Sequence, residues 1–420
     1  MATSIRKANK AAISTNDSRT GTVSAQLVYM NDGVRLCAEA CACCWDKANP
    51  ETYEEKVDYL GRRAKTGHLS IMEHSNVVIL LKLWHGMDTS SINDIMDTLC
   101  AGHYLNCRLA FASDFTPYIA IGGTLRGYME MMYLSRNSAE NFIIRAICGV
   151  LYKNFDARLF YTMIEAGFMD EESFVGVEPD PASHIFNNIP DETIYEDEKV
   201  KVLNVDNKDQ IKFNLYSVIG ENIFDDKDIS RLGSISILFK DMSRTATHQL
   251  VRHRNGMTQE SQRYVDYSDA AFADPTSFKP DRYDPNKLYT FKFGGVEFAM
   301  TANEIGEAEI GIYEYLKDQG MLKEDARSFL PGNVKCRKLY MTFCFAHFEK
   351  FLELRTHKGA QAEIRSFAVP CNEFYIDYCE KNFTGTNIKK TTVDEIISDK
   401  EVIMQQIIDN EPELGGKADA

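Results

Sequence analysis

The spacing of apolar residues predicts a mixture of helices and strands along the chain. Apolar positions recur at helical spacing in three ranges, and we predict a helix in each: 32–47, 53–66 and 301–317. The continuous apolar run at 76–84 predicts a buried strand. Gly294-Gly295 separates two short runs of strand character and predicts a hairpin over 289–300.

Other ranges are less regular. Residues 200–205 and 211–218 have the composition of short strands. Residues 336–357 are apolar on almost every helical face, which is typical of a buried helix. The polar residues 1–24 predict a loose arm. The charged residues 386–420 predict a tail with a short helix at 393–409 and no visible chemistry.

One segment, Ser243 to Tyr264, has an unusual charge. Its first part reads as a helix that ends at Asn255-Gly256. The segment holds four arginines and two histidines against one acid, whereas the whole chain has a formal charge of −15. Because arginine presents a planar fork of donors that fits phosphate oxygens, this cationic cluster indicates an anionic ligand. The alternative is a solvated helix end, where the helix dipole favours cations.

Composition narrows the class of protein. The chain has 420 residues, enough for two ordinary domains or one large one, and its 44% hydrophobic and 26% charged residues are typical of a soluble protein. We expect no membrane span and no signal peptide, because apolar runs of the required length are lacking. The acidity argues against nucleic-acid binding. Eleven cysteines without paired spacing favour reduced thiols in the cytoplasm and no metal site.

Four separated motifs resemble those of the flavin-dependent thymidylate synthase family. They are G-H-L-S-I-M-E-H at 67–74, R-H-R followed by S-Q-R-Y between Arg252 and Tyr264, R-S-F-L-P at 327–331, and L-R-x-x-x-x-A-Q-x-E-I-R at 354–365. The chain departs from the family at several points. The spacer between R-H-R and Ser261 has six residues where seven are usual. Cys344, Ala346 and Gly359 stand where some members have Asn, Arg and His.

The resemblance implies a fold and an activity. The fold is α+β, with an antiparallel sheet packed against long helices. The activity is the reductive methylation of dUMP to dTMP, with FAD as cofactor and with 5,10-methylenetetrahydrofolate and NADPH as co-substrates. Members of the family are tetramers with sites at subunit junctions, so the resemblance also implies a homo-oligomer.

The same resemblance assigns site residues. The dUMP site takes Gln249, Arg252, Gln259, Ser261, Gln262, Arg263, Arg327 and Arg355. The FAD site takes Ser70, Glu73, Arg252, His253 and Arg254. The catalytic candidates are Arg355, which lies against the uracil ring in the family, and Ser261. We do not favour Ser261 as a nucleophile, because no His-Asp pair is placed to activate it.

The two halves of the chain resemble each other. Ser135 and Arg145 are ten residues apart in one amphipathic segment, as are Arg355 and Arg365 in another. The apolar run at 75–82 also matches 234–240. We therefore expect a tandem duplication. The predicted domains are an arm (1–24), a degenerate first copy (25–165), an acidic connector (166–230), a second copy (231–385) and a tail (386–420).

The sequence is also consistent with other architectures and other functions. A single domain with a long insertion after residue 84, or a chance likeness of amphipathic helices, would also explain the internal similarity. The same scaffold could hydroxymethylate a pyrimidine nucleotide with flavin and folate, or could bind nucleotide or flavin without turnover. A purely structural nucleotide-binding protein is supported by no positive feature of the sequence.

Overall fold

Two five-stranded antiparallel sheets carry the fold. The computed structural model describes residues 13–17, 21–100, 103–135, 141–155, 158–159, 194–253, 256–273 and 286–382. The first sheet has the order β1-β2-β3-β5-β4 and comprises β1 (Ile13–Asp17), β2 (Gly21–Met30), β3 (Val77–Lys82), β4 (Leu105–Phe111) and β5 (Pro117–Gly123). The second has the order β6-β7-β8-β12-β9 and comprises β6 (Tyr195–Glu196), β7 (Val200–Val205), β8 (Ser234–Ser243), β9 (Gly256–Gln259) and β12 (Lys335–Cys344). In each sheet the strand that comes last in the sequence, β5 or β12, lies between the third and the fourth, and the fourth strand forms the edge.

Helices and one hairpin complete the described structure. The α-helices are α1 (Gly33–Trp45), α2 (Tyr53–Lys65), α3 (Thr89–Cys100), α4 (Leu125–Ser135), α5 (Asn141–Asn154), α6 (Lys208–Ile219), α7 (Asp226–Leu232), α8 (Arg244–Leu250), α9 (Ala302–Asp318), α10 (Lys323–Ala326), α11 (Phe345–Thr356) and α12 (Ala362–Asn382). Short 3₁₀ helices span Leu69–His74, Val251–His253 and Arg327–Phe329. β10 (Tyr289–Phe293) and β11 (Val296–Met300) form the hairpin. The expected α+β class with antiparallel sheets is confirmed.

Local sequence signals explain the predicted helices. Asp32 caps α1 by accepting a hydrogen bond from the backbone N–H of Arg35 at 3.3 Å. Thr52 caps α2 and Thr301 caps α9, each within a capping box closed by a glutamate three residues on. The predicted helices at 32–47, 53–66 and 301–317 are therefore confirmed, as are the strand within 76–84 and the hairpin at 289–300.

Two predicted elements are wrong. Residues 211–218 belong to α6, because Asn207 caps a helix there and Ile211 and Leu215 bury one helical face. Residues 336–344 form most of β12 and only the remainder of 336–357 is helical. β12 lies between β8 and β9, and its residues 339–343 are buried on both faces of the sheet, so this stretch lacks the alternation of polar and apolar residues that identifies a strand.

The structure also bears on the ranges expected outside the two copies. β2 begins at Gly21, within the predicted arm. Residues 194–230, taken with the acidic connector, supply β6, β7, α6 and most of α7. The rest of the connector, 166–193, and the tail at 386–420 lie outside the described residues.

The first sheet lies within residues 13–159, the first half of the chain, and the second sheet lies within residues 194–382, the second half. Each sheet packs one face on helices of its own half and the other face on helices of the opposite half. In the first half, α4 and α5 join β3 and β5 in one core, and in the second half α11 and α12 join β8 and β12. Two further clusters cross between halves. One joins α1 to the second sheet through Leu36, Ala40, Cys43, Leu203 and Tyr340. The other joins α6 and α7 to the first sheet through Ile211, Leu215, Leu232, Val78 and Leu80.

A buried polar contact lies where the halves meet. The carboxylate of Asp206, directly before the cap of α6, accepts from the backbone N–H of Ser234 at 2.8 Å and from Nδ2 of Asn76 at 2.7 Å. Asn31, directly before the cap of α1, accepts from the backbone N–H of Asn76 at 2.9 Å. Complete burial raises the pKa of Asp206, so these donors offset the cost of removing its carboxylate from water.

Within the described ranges, no helix combines the length and the apolar character that crossing a bilayer requires.

Candidate functional site

The segment with R-H-R begins as a short, well-anchored helix. Ser243 caps α8 by accepting from the backbone N–H of Ala246 at 3.0 Å, and its own hydroxyl donates to Glu363 at 2.7 Å. Ala246 and Leu250 pack into the core of the second half. The chain then makes one 3₁₀ turn, Val251–His253, which carries Arg252 and His253 beside the end of α11.

Arg355 is the centre of a first group, the Arg355 cluster, which consists of Gln249, Arg252, His253 and Arg355. Nε of Arg355 donates to Nε2 of His253 at 3.0 Å, and its Nη2 donates to the carbonyl oxygen of Gln249 at 3.3 Å. Arg355 lies near the end of α11, whose Phe351 and Leu352 are fully buried. A rigid helix therefore fixes its guanidinium close to the R-H-R turn.

The Arg355 cluster carries positive charge without a matching acid. Burial, and then the charge of Arg252, lower the pKa of Arg355. Among the described residues, no carboxylate forms an ion pair with Arg252 or Arg355. Two neighbouring cations without a counter-ion are the arrangement that an anionic ligand would stabilise.

His253 is neutral at pH 7. Burial lowers its pKa to about 4, and the charges of Arg355 and His347 add to that effect. Because a guanidinium can only donate, Nε2 of His253 must be the unprotonated nitrogen that accepts from Arg355. His253 thus orients Arg355 without adding another positive charge.

A second group, the Glu324 cluster, consists of Ser261, Arg263, Glu324 and Arg327. Arg263 pairs with the carboxylate of Glu324 through Nε at 2.8 Å and Nη2 at 2.6 Å. Arg327 donates from Nε to the carbonyl oxygen of Glu324 at 3.0 Å. The side chains of Arg263 and Glu324 are 49% and 39% exposed, so their ion pair is weak and can open to another anion.

The six-residue spacer between R-H-R and Ser261 is mostly a strand. Gly256 to Gln259 form β9, and Gly256 is needed there because a Cβ would lie 2.5 Å from the carbonyl oxygen of Glu73. Glu260 follows and is buried, with Oε1 accepting from Nε of Arg337 at 2.9 Å. In the described part of the spacer, β9 therefore pairs with β12 at the edge of the second sheet, and Glu260 leads directly into the Glu324 cluster.

Gln259 has one notable atom. Its side-chain Oε1 is buried, and no donor among the described residues reaches it. A buried acceptor without a donor costs about 1–3 kcal/mol, so this atom suits a ligand N–H.

The G-H-x-S-x-x-E-H element contacts β9 from the first half. Glu73 is almost fully buried, pairs with Nη1 of Arg126, and accepts from the backbone N–H of Met257 at 3.4 Å. Burial raises the pKa of Glu73 to about 7, whereas the positive charge of Arg126 acts in the opposite direction. Glu73 thus ties β9 to α4, and its carboxylate is already engaged.

His74 closes the same contact. Its Nδ1 lies 3.0 Å from Oγ1 of Thr342 and its Nε2 lies 2.9 Å from Oγ1 of Thr258, on two neighbouring strands of the second sheet. Burial lowers the pKa of His74 to about 3, so the ring is neutral. Two motifs that are remote in sequence therefore share one buried interface.

Comparisons with known proteins find a family match within the second half. Residues 208–377 match the model of the family described as Thymidylate synthase complementing protein. A flavin-dependent thymidylate synthase of Pyrococcus abyssi (strain GE5 / Orsay) is 32% identical over 167 residues, which cover 39% of this chain and 61% of that protein. The enzyme of the same name from Pyrococcus furiosus is 34% identical over 131 residues, covering 30% and 48%.

The family resemblance is confirmed over residues 208–377.

The match is partial in both directions. The chain spans about three fifths or less of the length of these two relatives. A crystal structure of a UMP/dUMP methylase PolB from Streptomyces cacaoi bound with 5-Br dUMP is 22% identical, covering 44% of this chain and 91% of that one with a TM-score of 0.29. That similarity is too low to establish a common fold.

The family-matched segment contains most of the predicted site residues. Those described within it fall into the two clusters or on β9, apart from Gln262, which is half-buried in the turn after Ser261. Arg254 lies outside the described residues. Ser70 and Glu73 precede the matched segment, and Ser70 is half-buried in the 3₁₀ helix of the first half.

Sequence reasoning missed three residues that shape the site. Arg126 holds Glu73, Arg337 holds Glu260, and Glu324 links Arg263 to Arg327. None belongs to a recognised motif. Arg126 and Arg337 also form their ion pairs with residues that are distant in the sequence, so no local pattern marks them. Glu324 alone had a usable signal, because it stands three residues before Arg327, a spacing at which two side chains are neighbours on one helical turn.

The contact between Arg355 and His253 leads to a titration prediction. Replacing Arg355 by Gln removes a nearby positive charge, so the pKa of His253 should rise from about 4 while staying below the ordinary value of about 6.5, because burial remains. NMR titration of the His253 ring measures this directly. Arg263→Gln, in the other cluster, is the control and should leave the value unchanged. An unmoved pKa in Arg355→Gln would contradict the contact.

Proposed function

We propose that this protein is an enzyme that methylates dUMP reductively to dTMP. FAD is its cofactor, 5,10-methylenetetrahydrofolate is its carbon donor, and NADPH is its reductant. The observation that carries the proposal is the pair Arg252 and Arg355, two neighbouring cations without an acidic partner among the described residues, in a segment similar to flavin-dependent thymidylate synthases. The chain as a whole is acidic, so positive charge concentrated at this one place suits an anionic nucleotide.

The residues at the R-H-R end of β9 fit a flavin. Arg252 supplies an exposed cation for a pyrophosphate, and Arg254 follows it two positions on in the sequence. His253 and Ser70 supply neutral polar groups. Glu73 supports this wall indirectly, because its carboxylate already holds Arg126 and the backbone of β9. When bound, the flavin supplies the redox chemistry, and the protein supplies orientation and charge.

The nucleotide is assigned to both clusters. Arg263 and Arg327 hold the phosphate, for which the exposed ion pair with Glu324 opens, and Ser261 and Gln262 line the same turn. The uracil ring lies against Arg355. Gln249 and Gln259 hydrogen-bond the base. The buried Oε1 of Gln259 is available for this contact, because no donor in the part of the chain that the structure describes reaches it.

Arg355 is the main catalytic residue in this proposal. Carbon 5 of uracil becomes nucleophilic as negative charge builds on the carbonyl oxygens, and a fixed guanidinium stabilises that charge. His253 and Gln249 hold Arg355 in place from two sides. Ser261 has a positioning role instead, since its hydroxyl accepts from the backbone N–H of Arg263 at 3.3 Å and that contact activates no nucleophile.

Product analysis tests this function. Wild-type protein with FAD, dUMP, methylenetetrahydrofolate and NADPH should yield dTMP by mass spectrometry. Arg355→Ala should lower kcat by roughly 100-fold or more, the cost of removing one charge-stabilising donor. Ser261→Ala should keep activity within about tenfold, because a lost hydrogen bond costs about 1 kcal/mol. Arg158→Ala, at an exposed position 4.0 Å from Asp58, is the control.

Other products would point to the alternatives. A hydroxymethylated nucleotide would replace the proposal by one-carbon transfer without the final reduction. Bound dUMP and FAD without any product would identify a non-catalytic homologue. Equal and complete loss of activity in Arg355→Ala and Ser261→Ala would overturn the ranking of the two residues.

We also propose that the two halves, within 13–159 and 194–382, are copies of one ancestral unit. The two sheets have the same strand order relative to the chain, β1-β2-β3-β5-β4 and β6-β7-β8-β12-β9. The register break in β2 between Leu27 and Tyr29 has a counterpart in β7 between Val202 and Asn204. Such repeated irregularities support descent more strongly than helix likeness alone does.

Strand register supports the same alignment of helices. Val77 pairs with Gly123 in the first sheet, and Ile235 pairs with Phe343 in the second. A helix begins two residues after each partner, at Leu125 and at Phe345. Counting along both helices sets Ser135 opposite Arg355, as the internal sequence similarity predicts. An experimental structure whose superposed sheets paired another residue with Arg355 would contradict the duplication.

The duplication implies a division of roles between the copies. At the position of Arg355 the first copy has Ser135, which cannot supply positive charge. The first copy keeps the G-H-x-S-x-x-E-H element, and the second keeps the R-H-R segment. Because Glu73 contacts β9, the first copy forms one wall of the site that the second copy charges.

This division predicts that Glu73 supports FAD retention, although it lies 179 positions before Arg252 in the sequence. Glu73→Ala frees Arg126 and loosens β9, so we expect FAD affinity to fall about tenfold, equivalent to about 1.4 kcal/mol. Flavin absorbance after gel filtration measures retention, and circular dichroism checks the fold. Glu54→Ala, at an exposed position of α2, is the control. Normal flavin content in Glu73→Ala would remove the first copy from the site.

A second copy of the chain is the proposed partner of the β10–β11 hairpin. One face of this hairpin is apolar, and most of it is exposed in the single chain: Tyr289, Phe291, Phe293, Val296, Phe298 and Met300. An isolated two-stranded hairpin is marginally stable in water, and an exposed apolar face of this kind marks an interaction site. The resemblance to a family of tetramers selects another copy as the occupant.

Oligomeric state tests this partner. Light scattering should give a multiple of 47.7 kDa for the wild type. Phe291→Lys together with Phe298→Lys places charge in the apolar face and should lower the mass towards that of one chain. Thr290→Lys adds the same charge to the opposite face and should have no effect. A monomeric wild type would contradict the assembly.

The cysteines support a reducing compartment, such as the cytoplasm. All eleven are free thiols, and most are buried among apolar side chains. Burial raises the pKa of thiols such as Cys37 and Cys336, so these cysteines act as small core residues.

A further inference from the structure

Trp45, the last residue of α1, contacts the turn that holds Ser261 and Arg263. Its ring stacks on Tyr264 with centroids 3.8 Å apart and planes 11° from parallel. The guanidinium of Arg63 lies 4.1 Å from the ring centroid of Trp45. Trp45 comes from the first half and Tyr264 from the second, so this stack crosses the interface between the halves.

Side chains of the protein surround the Trp45 ring. Arg63 and Tyr264 cover Trp45, and His68 meets it edge-on with ring centroids 5.8 Å apart. Tyr264 in turn has the guanidinium of Arg263 5.5 Å from its ring centroid. Both faces of the Trp45 ring are therefore occupied by side chains of the protein, and we assign the stack to holding the turn.

The backbone beside Trp45 holds the same turn. The carbonyl oxygen of Cys44 accepts from the backbone N–H of Ser261 at 3.0 Å. Asp46, which ends α1 in a left-handed conformation, approaches Nζ of Lys338 at 3.3 Å on β12. The end of α1 thus fixes where the second sheet stops and the Ser261–Tyr264 turn begins.

We propose that Trp45 is a positioning residue for nucleotide binding, acting through Tyr264 on Arg263. This inference rests on the proposed function. The half-exposed Arg263 is held by an exposed ion pair with Glu324 and by the nearby ring of Tyr264, so its direction depends on the position of the turn that carries Tyr264. Without the Trp45 ring the turn keeps its hydrogen bond to Cys44 and loses the stacked surface, so dUMP must order it on binding.

The variants Trp45→Ala and Trp45→Phe test this role. Trp45→Ala should raise the KM and the calorimetric Kd for dUMP about tenfold, equivalent to about 1.4 kcal/mol, with kcat and FAD content near the wild-type values. Trp45→Phe restores an aromatic face and should recover most of the affinity. Trp84→Phe, at the other of the two tryptophans, is the matched control and should resemble the wild type.

The possible results separate this inference from the proposed function. A wild type that makes dTMP, with Trp45→Ala at the wild-type KM, would overturn the role of Trp45 alone. A variant that loses kcat and FAD together with dUMP affinity, and that Trp45→Phe does not rescue, would also overturn it, since the residue would then be structural. A wild type that neither binds dUMP nor makes dTMP would overturn the proposed function and this inference with it.

Discussion

The reciprocal packing of two sheets is the constraint on which the rest of the structure depends. α1 covers a face of the second sheet, and α6 with α7 covers a face of the first. Each fully buried large apolar side chain in these contacts contributes about 1.5–3 kcal/mol relative to exposure. Separating the halves would expose both faces and would strand the carboxylate of Asp206, which needs donors from both halves. The two halves therefore form one folding unit.

The same packing positions the elements that form the candidate site. The 3₁₀ helix at 69–74 must lie against β9 because His74 bonds to Thr258 and Thr342 of the second sheet. Gly256 allows that close approach. The R-H-R turn then emerges beside the end of α11, where partial burial and the nearby charge of Arg252 leave Arg355 ready to be stabilised by an anion. Charge is concentrated where two rigid elements end, rather than on a mobile loop.

Sequence reasoning recovered the features that depend on local signals. Helices with caps, such as α1 behind Asp32 and α9 behind Thr301, followed from spacing and capping residues. β12 was mistaken for a helix because burial on both faces removes the alternation that identifies a strand. The R-H-R segment was found, but its support was not. Arg126 and Arg337 act on acids that are distant in sequence, and no local period records such contacts.

A crystal structure of the protein with dUMP and FAD would test the central claim most directly. The account predicts the uracil ring beside Arg355, the phosphate at Arg263 and Arg327, and the flavin against the 3₁₀ helix that holds Ser70 and Glu73. A nucleotide bound elsewhere, with the Arg355 cluster free of any ligand in the assembled protein, would contradict it.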